Sequence, residues 1–460
     1  MRLTEIIELG IKYSILGIFA ALVICIFMML WFRTHKNNSK YTRKYCMQRM
    51  ALSAIFVCYI TVLFGVTMIN RNVVGGSMAN FQLFGSYREA WNSFSFIEWR
   101  NLLLNIGLFM PLGMLLSLLF EKCKSNWVTY LVGFVTSLFI ELLQLSFNLG
   151  AFEMDDILNN TLGTMIGFGI YILISAMIKK RRKVSYIILS QLPLAFVIVG
   201  FICILTIYNH QEFGNLKENY SYRVNMDNVD LFGKTKFSSE RKTVPIYKLK
   251  IGTKEDTLEA ANGILKCVDS EVDEEQKDVY DETIIYSSKD GRYSVWVDYK
   301  GLTTHYIDYV ENNEEAKTGC SEQEIREALK YYNIDISDKA DFEEDESGRY
   351  IFRVSMYSES NRLLDGTISC IYNQNNKVSE IYNNLITYQK YKDVNIISAQ
   401  EAYEKVKAGK FKNGNIECHS IEIQSVELSY IADSKGYYQP AYIFKCKKNE
   451  IEDMIIISGI

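Results

Sequence analysis

The sequence predicts a polytopic α-helical membrane domain of about six transmembrane helices, followed by an α+β extracytoplasmic domain. Three observations carry this expectation. Apolar runs of roughly 18 or more residues, the length that crosses a bilayer, recur before His210. Lys and Arg collect in alternate short loops between those runs. Beyond His210 the composition turns to Asp, Glu, Lys, Asn and Tyr, with apolar residues at period two.

The spans are expected at Tyr13–Phe32, Met50–Ile69, Leu102–Phe120, Trp127–Phe147, Ile157–Ile178 and Ser185–Tyr208. The first is too long for a cleavable signal and lacks a small-residue cleavage site. Arg33, Lys36, Lys40, Arg43, Lys44 and Arg49 follow span one, Lys122 and Lys124 follow span three, and KKRRK (Lys179–Lys183) follows span five. These loops alternate, so all fit the cytoplasmic side. Arg71–Asn101, Asn148–Asp156 and everything after Tyr208 then face outward. In 460 residues this gives a first helix and basic loop (1–49), a membrane domain (50–178), a basic loop and last helix (179–209) and an outer domain (210–460). The net charge of −4 averages two unlike halves. No basic tract with interleaved aromatics points to nucleic acid, and no residue spacing implies a metal or cofactor.

One stretch stands out, IELLQLSFNLGAFEMDDILNN, from Ile140 to Asn160. It sets polar and acidic side chains among apolar ones, and an ionisable group within a span is a functional candidate because burying it is costly. On the expected topology, Glu141 and Gln144 share a face of span four. Asp156 and Asn160 sit one turn apart at the start of span five, beside Asp155, and Asn105 lies on the first turns of span three. These groups occupy one level near the outer-leaflet headgroups. The bland readings are interhelical hydrogen bonding for Asn105 and Gln144, and favourable placement at a helix start for Asp155 and Asp156. Glu141 needs a proton or a cationic partner at that depth. Gly163 and Gly167, four apart, are expected to admit a close neighbouring helix.

At these residues the sequence resembles the VanZ-like family of bacterial membrane proteins. The resemblance rests on NIGLFMPLG (Asn105–Gly113), IELLQ (Ile140–Gln144) and DDILNNTLGTMIG (Asp155–Gly167), with NFQLF (Asn80–Phe84) as a weaker piece. It covers about Met50 to Met177. It implies an association with low-level teicoplanin resistance and no established enzymatic activity. Relatives carry an Arg where this chain has Gly150, so Arg71, Arg88 or Arg100 is the expected substitute partner for Glu141.

In the polar half, strands are expected at Arg292–Gly301, Gly348–Tyr357, Asp365–Gln374, Ser420–Ile431 and Ala441–Lys447. Capping boxes at Ser321/Glu324 and Ser398/Glu401 start two helices, the second closing at Gly409, and a third helix covers Glu255–Leu265. The C-terminal stretch resembles PepSY-like extracytoplasmic modules and YycH/YycI-type regulators of envelope sensor kinases, through its helix-then-strands order and GYYQPAY ending. The acidic runs Asp269–Asp278 and Phe342–Glu346 lack calcium-loop spacing and read as solvated. His305 and His419 read as surface histidines. Five cysteines fall in this half, and their odd number allows no complete internal pairing.

The leading functional expectation is a non-enzymatic envelope protein whose outer-leaflet site meets a membrane lipid or a lipid-tailed antibiotic. A second is an intramembrane enzyme using Glu141 and Asp156 as acid and base. A third is an accessory that contacts a sensor kinase through the outer domain.

Overall fold

A computed structural model describes residues 3–34, 42–69, 79–179, 183–217, 224–233, 235–280, 282–359, 361–413 and 418–460. The chain divides into two units, Met1–Glu212 and Phe213–Ile460.

In the first unit, long apolar runs become helices because a helix satisfies its own backbone groups where water is absent. They are α1 (Leu3–Thr34), α2 (Arg43–Phe64), the short α3 (Gly85–Ser93), α4 (Phe96–Leu119), α5 (Asn126–Ser146), α6 (Met154–Lys179), α7 (Val184–Ser190) and α8 (Leu192–His210). Among the described residues six segments are long and apolar enough to cross a membrane: Glu8–Thr34, Arg43–Met68, Phe96–Leu119, Asn126–Ser146, Met154–Ile178 and Leu192–His210. The last corrects the expectation of one span over Ser185–Tyr208. Pro193 stands at the start of α8 and cannot continue a preceding helix, so α7 ends before it.

The centre of this unit is the α4–α6 pair. A Cβ on Gly163 would stand 2.1 Å from the Ile106 carbonyl oxygen, and one on Gly113 2.0 Å from that of Thr164. The two backbones touch, as the Gly163/Gly167 spacing predicts. Pro111 interrupts the hydrogen-bond ladder of α4. Beside it, Tyr59 of α2 donates its hydroxyl to the Leu108 carbonyl at 2.9 Å. The connections carry structure too. The short strands β1 (Ala79–Asn80) and β2 (Phe152–Glu153) pair in parallel, joining the segments that precede α3 and α6.

The second unit repeats one plan three times. Helix α9 (Lys254–Cys267) precedes strands β5 (Val272–Val279), β6 (Thr283–Ser288), β7 (Tyr293–Asp298) and β8 (Thr304–Asp308). Helix α10 (Glu322–Lys330) precedes β9 (Asp341–Glu344), β10 (Arg349–Glu359), β11 (Arg362–Tyr372) and β12 (Val378–Asn383). Helix α11 (Ala399–Lys407) precedes β14 (Ser420–Ala432), β15 (Tyr437–Lys448) and β16 (Ile451–Ser458). Strands β3 (Asp230–Gly233), β4 (Thr243–Leu249) and β13 (Ile386–Asn395) join them into one sheet ordered β3-β14-β15-β4-β13-β11-β12-β8-β7-β6-β5, from which β9, β10 and β16 branch.

Each repeat also holds a turn of one kind. It lies between β6 and β7 in the first, β9 and β10 in the second, and β14 and β15 in the third, which has three strands rather than four. Gly291, Gly348 and Gly436 have φ of 69°, 76° and 81°, conformations that exclude most side chains. Each glycine N–H bonds back three residues, to Ser288, Asp345 and Asp433, at 2.9, 3.0 and 3.2 Å. The residues that follow are Arg-Tyr, Arg-Tyr and Tyr-Tyr, and the second tyrosine position is buried each time (Tyr293, Tyr350, Tyr438). Apolar residues one helical turn apart seat the helices on the sheet. Ala261 and Leu265 of α9 share one core with Ile325 and Leu329 of α10, while Ala402 and Val406 of α11 belong to another.

Details of this unit refine the sequence reading. The Ser398/Glu401 capping box is complete, and Gly409 follows at φ 68°. The Ser321/Glu324 box is half formed. Ser321 accepts the Glu324 amide at 3.3 Å, but the Glu324 carboxylate takes Lys317 Nζ at 2.8 Å, a charge-assisted bond that outcompetes a neutral amide. A third box, Thr253 with Asp256, opens α9. His305 is not a surface histidine. It is largely buried, its Nε2 lies 2.9 Å from Glu380 Oε1, and its ring stacks on Tyr382. The acidic runs form β5 and β9, solvent-facing over most of their length. No cysteine among the described residues forms a disulfide.

Candidate functional site

The polar residues of Ile140–Asn160 converge with α3 and α4. On α5 the buried side is Thr129, Gly133, Ser137, Ile140, Glu141 and Gln144, a stripe at three- and four-residue spacing. On α6, Asp155, Asn159 and Asn160 are buried, and Asp156 is half-buried. Asn160 Nδ2 donates to Ser137 Oγ at 2.9 Å, linking the two helices. Asn105 Nδ2 donates to Asp156 Oδ1 at 2.5 Å, linking α4 to α6.

Glu141 is 1% exposed, and its Oε2 accepts the backbone N–H of Glu153 at 3.1 Å. Strand β2 therefore brings a donor to this carboxyl. Of the three cations proposed from the sequence, Arg71 lies outside the described residues. Gln144 Nε2 donates to the Thr67 carbonyl at 2.9 Å, tying α5 to the π-turn (Gly65–Ile69) that ends the second span.

Asp155 acts differently from a cap on its own helix. Its Oδ1 accepts Phe84 N–H at 2.6 Å and its Oδ2 accepts Ser86 N–H at 2.8 Å. These amides stand at the start of α3, where the helix leaves donors unpaired. Ser86 Oγ donates to Glu153 Oε2 at 3.0 Å, and the Tyr87 hydroxyl donates to Asn159 Oδ1. Burial, then the charges of Asp155 and Asp156, push the Tyr87 phenol up to about 12, so it donates as a neutral group at any ordinary pH.

The structure thus brings Asn105, Glu141, Gln144, Asp155, Asp156 and Asn160 into one neighbourhood. It adds Tyr87, Ser86, Ser137, Glu153 and Asn159, which the sequence reading left out of the site. Asn159 stood in plain view within the DDILNN run. Tyr87 had no signal beyond an amphipathic GSYREAW segment between two spans. Gln144 Oε1 and Asn159 Nδ2 are buried and make no hydrogen bond among the described residues. A polar atom left so costs about 1–3 kcal/mol, and polar groups of a ligand or solvent would relieve it. Among the described residues no group of three or more His, Cys, Asp or Glu is placed to hold a metal ion.

Residues 19–175 match the family model described as VanZ/LLP1. This segment is a VanZ-like domain. The match begins well before Met50, so the VanZ-like domain takes in much of α1 as well as the polar cluster. It supports, at the level of the family, a multi-pass envelope protein associated with glycopeptide resistance, and the family is not a known enzyme family. No curated protein matches the chain. Among solved structures, an uncharacterised protein from Eubacterium rectale ATCC 33656 is similar at TM-score 0.25 and 12% identity, over 51% of this chain and 88% of that one. The Bacillus megaterium YpeB C-terminal domain is similar at TM-score 0.22 and 11% identity, over 46% and 94%. Likenesses this weak carry no functional argument.

Proposed function

We propose that the VanZ-like domain lowers susceptibility to lipid-tailed, teicoplanin-type glycopeptides by engaging an amphiphile at the outer leaflet. The observation that carries this reading is the cluster itself: carboxyl and amide groups from α4, α5 and α6 beside α3, with two buried amide atoms still unpartnered among the described residues. The Lys/Arg bias supports an orientation in which this end of the bundle and the C-terminal unit are extracytoplasmic. A lipid headgroup or the polar part of an antibiotic would hydrogen-bond the cluster while its tail stays among the exposed apolar helix faces.

The test is susceptibility of a sensitive Gram-positive host, with and without the chain, to teicoplanin, a non-lipidated glycopeptide and a cationic lipopeptide. Protection selective for lipid-tailed drugs, abolished by Glu141→Gln and Asp156→Asn at unchanged membrane abundance, is the expected result. Full protection by both variants would remove the site from the mechanism. No protection by the wild-type chain would end the resistance reading.

A second reading is favoured by the threefold repeat, whose hairpin turns and helices make a sheet suited to contact. In it the C-terminal unit acts as an accessory to an envelope sensor kinase. Crosslinking from this unit in cells, with recovery of a kinase, is its test.

A further inference from the structure

A second concavity lies in the C-terminal unit, where the first two repeats face each other. The cleft has a volume of about 520 Å³, within the range of small-ligand sites. One wall is the end of α10 with Tyr331 and Tyr332; the other is the Arg292–Tyr293 start of β7, Tyr372, and the Lys377–Val378 approach to β12.

Most charges around the cleft are already matched. Arg292 pairs with Asp308 at 2.8 Å, Lys377 with Glu311 at 2.8 Å and Glu324 with Lys317 at 2.8 Å. Two carboxylates on the lining are not. Among the described residues Glu327 receives only the Gln323 amide, at 3.2 Å, and Asp269 has no side-chain hydrogen bond or ion pair, so both exposed carboxylates are held by solvent alone apart from that amide. Two phenols are also unspent. Tyr293 and Tyr372 are each 8% exposed and line the cleft, yet neither hydroxyl makes a hydrogen bond among the described residues. Neither hydroxyl is enclosed by protein, so both are open to an occupant of the cleft. Tyr331, 62% exposed, stands edge-on to Tyr332 and offers an open aromatic face.

We propose that this cleft binds a short peptide bearing a primary ammonium group. The unmatched carboxylates of Glu327 and Asp269 take the ammonium, and the Tyr331 face adds cation–π attraction. The Tyr293 and Tyr372 hydroxyls serve the adjoining peptide groups, which present both donors and acceptors. A neutral glycan would use the phenols but leave the carboxylates unanswered, and an anion would be repelled. The proposal is independent of the membrane site.

Calorimetry on the full chain in lipid nanodiscs tests it with a lysine-bearing pentapeptide and its Nε-acetylated counterpart. The free amine should bind, and acetylation should weaken binding by roughly tenfold or more, the worth of a charge-assisted bond. Glu327→Gln combined with Asp269→Asn should cost about as much, and Tyr293→Phe should weaken binding at an unchanged melting temperature. An all-L peptide compared with one ending in D-alanine separates secreted from wall-derived sources, and tight binding of either supports the site. Absence of binding by both amine peptides, equal binding after acetylation, or wild-type affinity in the double variant would overturn it.

Discussion

Asn105 of α4 donates Nδ2 to Asp156 Oδ1 of α6 at 2.5 Å, at the end of the bundle where α3 also docks. The bond joins the two most closely packed helices, whose glycines already bring their backbones into contact. Fold and candidate site therefore share a seam. A polar bond between membrane helices contributes only about 0.6 kcal/mol on average. A double-mutant cycle of Asn105→Ala and Asp156→Ala on thermal stability should thus show coupling of about 1 kcal/mol or less. Large coupling would mark the pair as structural rather than functional.

The glycines of the seam should tolerate no side chain. Gly167→Leu places a Cβ 1.8 Å from the Met110 carbonyl oxygen, and overpacking of this kind costs about 3 kcal/mol. The variant should be lost from the folded peak in size-exclusion chromatography. Gly107→Ala, with nothing within 4 Å of its Cβ, should behave as wild type.

Asp155 holds the start of α3 through Phe84 N–H and Ser86 N–H. Its replacement by Ala should cost about 1–2 kcal/mol, as loss of a helix cap does. Hydrogen exchange should quicken in residues 84–93 and stay slow in α6. Unchanged exchange across α3 would show that packing alone holds the helix.

His305 gives the C-terminal unit a pH dependence. Burial pulls its pKa below the ordinary 6.5, outweighing the opposite effect of Glu380. Burial also works against the Glu380 charge, but bonds from His305 and Arg349 prevail and keep that carboxylate below its usual range. A lowered histidine pKa means that the unfolded chain binds the proton first, so stability is present above about pH 6.5 and is lost as pH falls through the folded value. Melting temperature should decline between pH 7.5 and 5.5, less steeply in His305→Gln. Equal slopes would assign the dependence to other groups.

The capping box at α11 behaves in the carboxylate sense. The Arg241 bond, then the Ser398 amide, hold Glu401 down to about 2 from its ordinary 4.5. Its contribution is present above about pH 4.5 and fades as pH falls toward 2. The stability difference between wild type and Glu401→Gln should shrink over that interval in acid-titrated melts.

Much of this molecule is legible one residue at a time. The number of spans follows from apolar run lengths. The helices of the second and third spans start six or seven residues earlier than the apolar runs, at Arg43 and Phe96, and the sixth starts later, because Pro193 starts a helix instead of lying within one. Ser398/Glu401 and Gly409 mark α11 from end to end. The threefold repeat is not legible, although Gly-Arg-Tyr appears twice in the chain. Its other marks, a Ser/Thr cap and a three-residue return to Ser or Asp, are too short and unevenly spaced to stand out. His305 looks isolated in sequence because its partners Glu380 and Tyr382 are distant along the chain and adjacent only across β8 and β12.

By itself the sequence determined where the chain is apolar enough to cross a membrane, where the capped helices α10 and α11 start, and which run of polar residues is out of place. Those are local properties, governed by hydropathy, capping and backbone preference over a few residues. Only the tertiary structure decided what the polar residues do. Asp155 caps α3 rather than α6, Glu141 meets a backbone amide, and Asn105 finds Asp156, because each of those partners arrives from another element. A buried hydrogen bond is specified by geometry within about 3 Å, and no spacing along the chain encodes it.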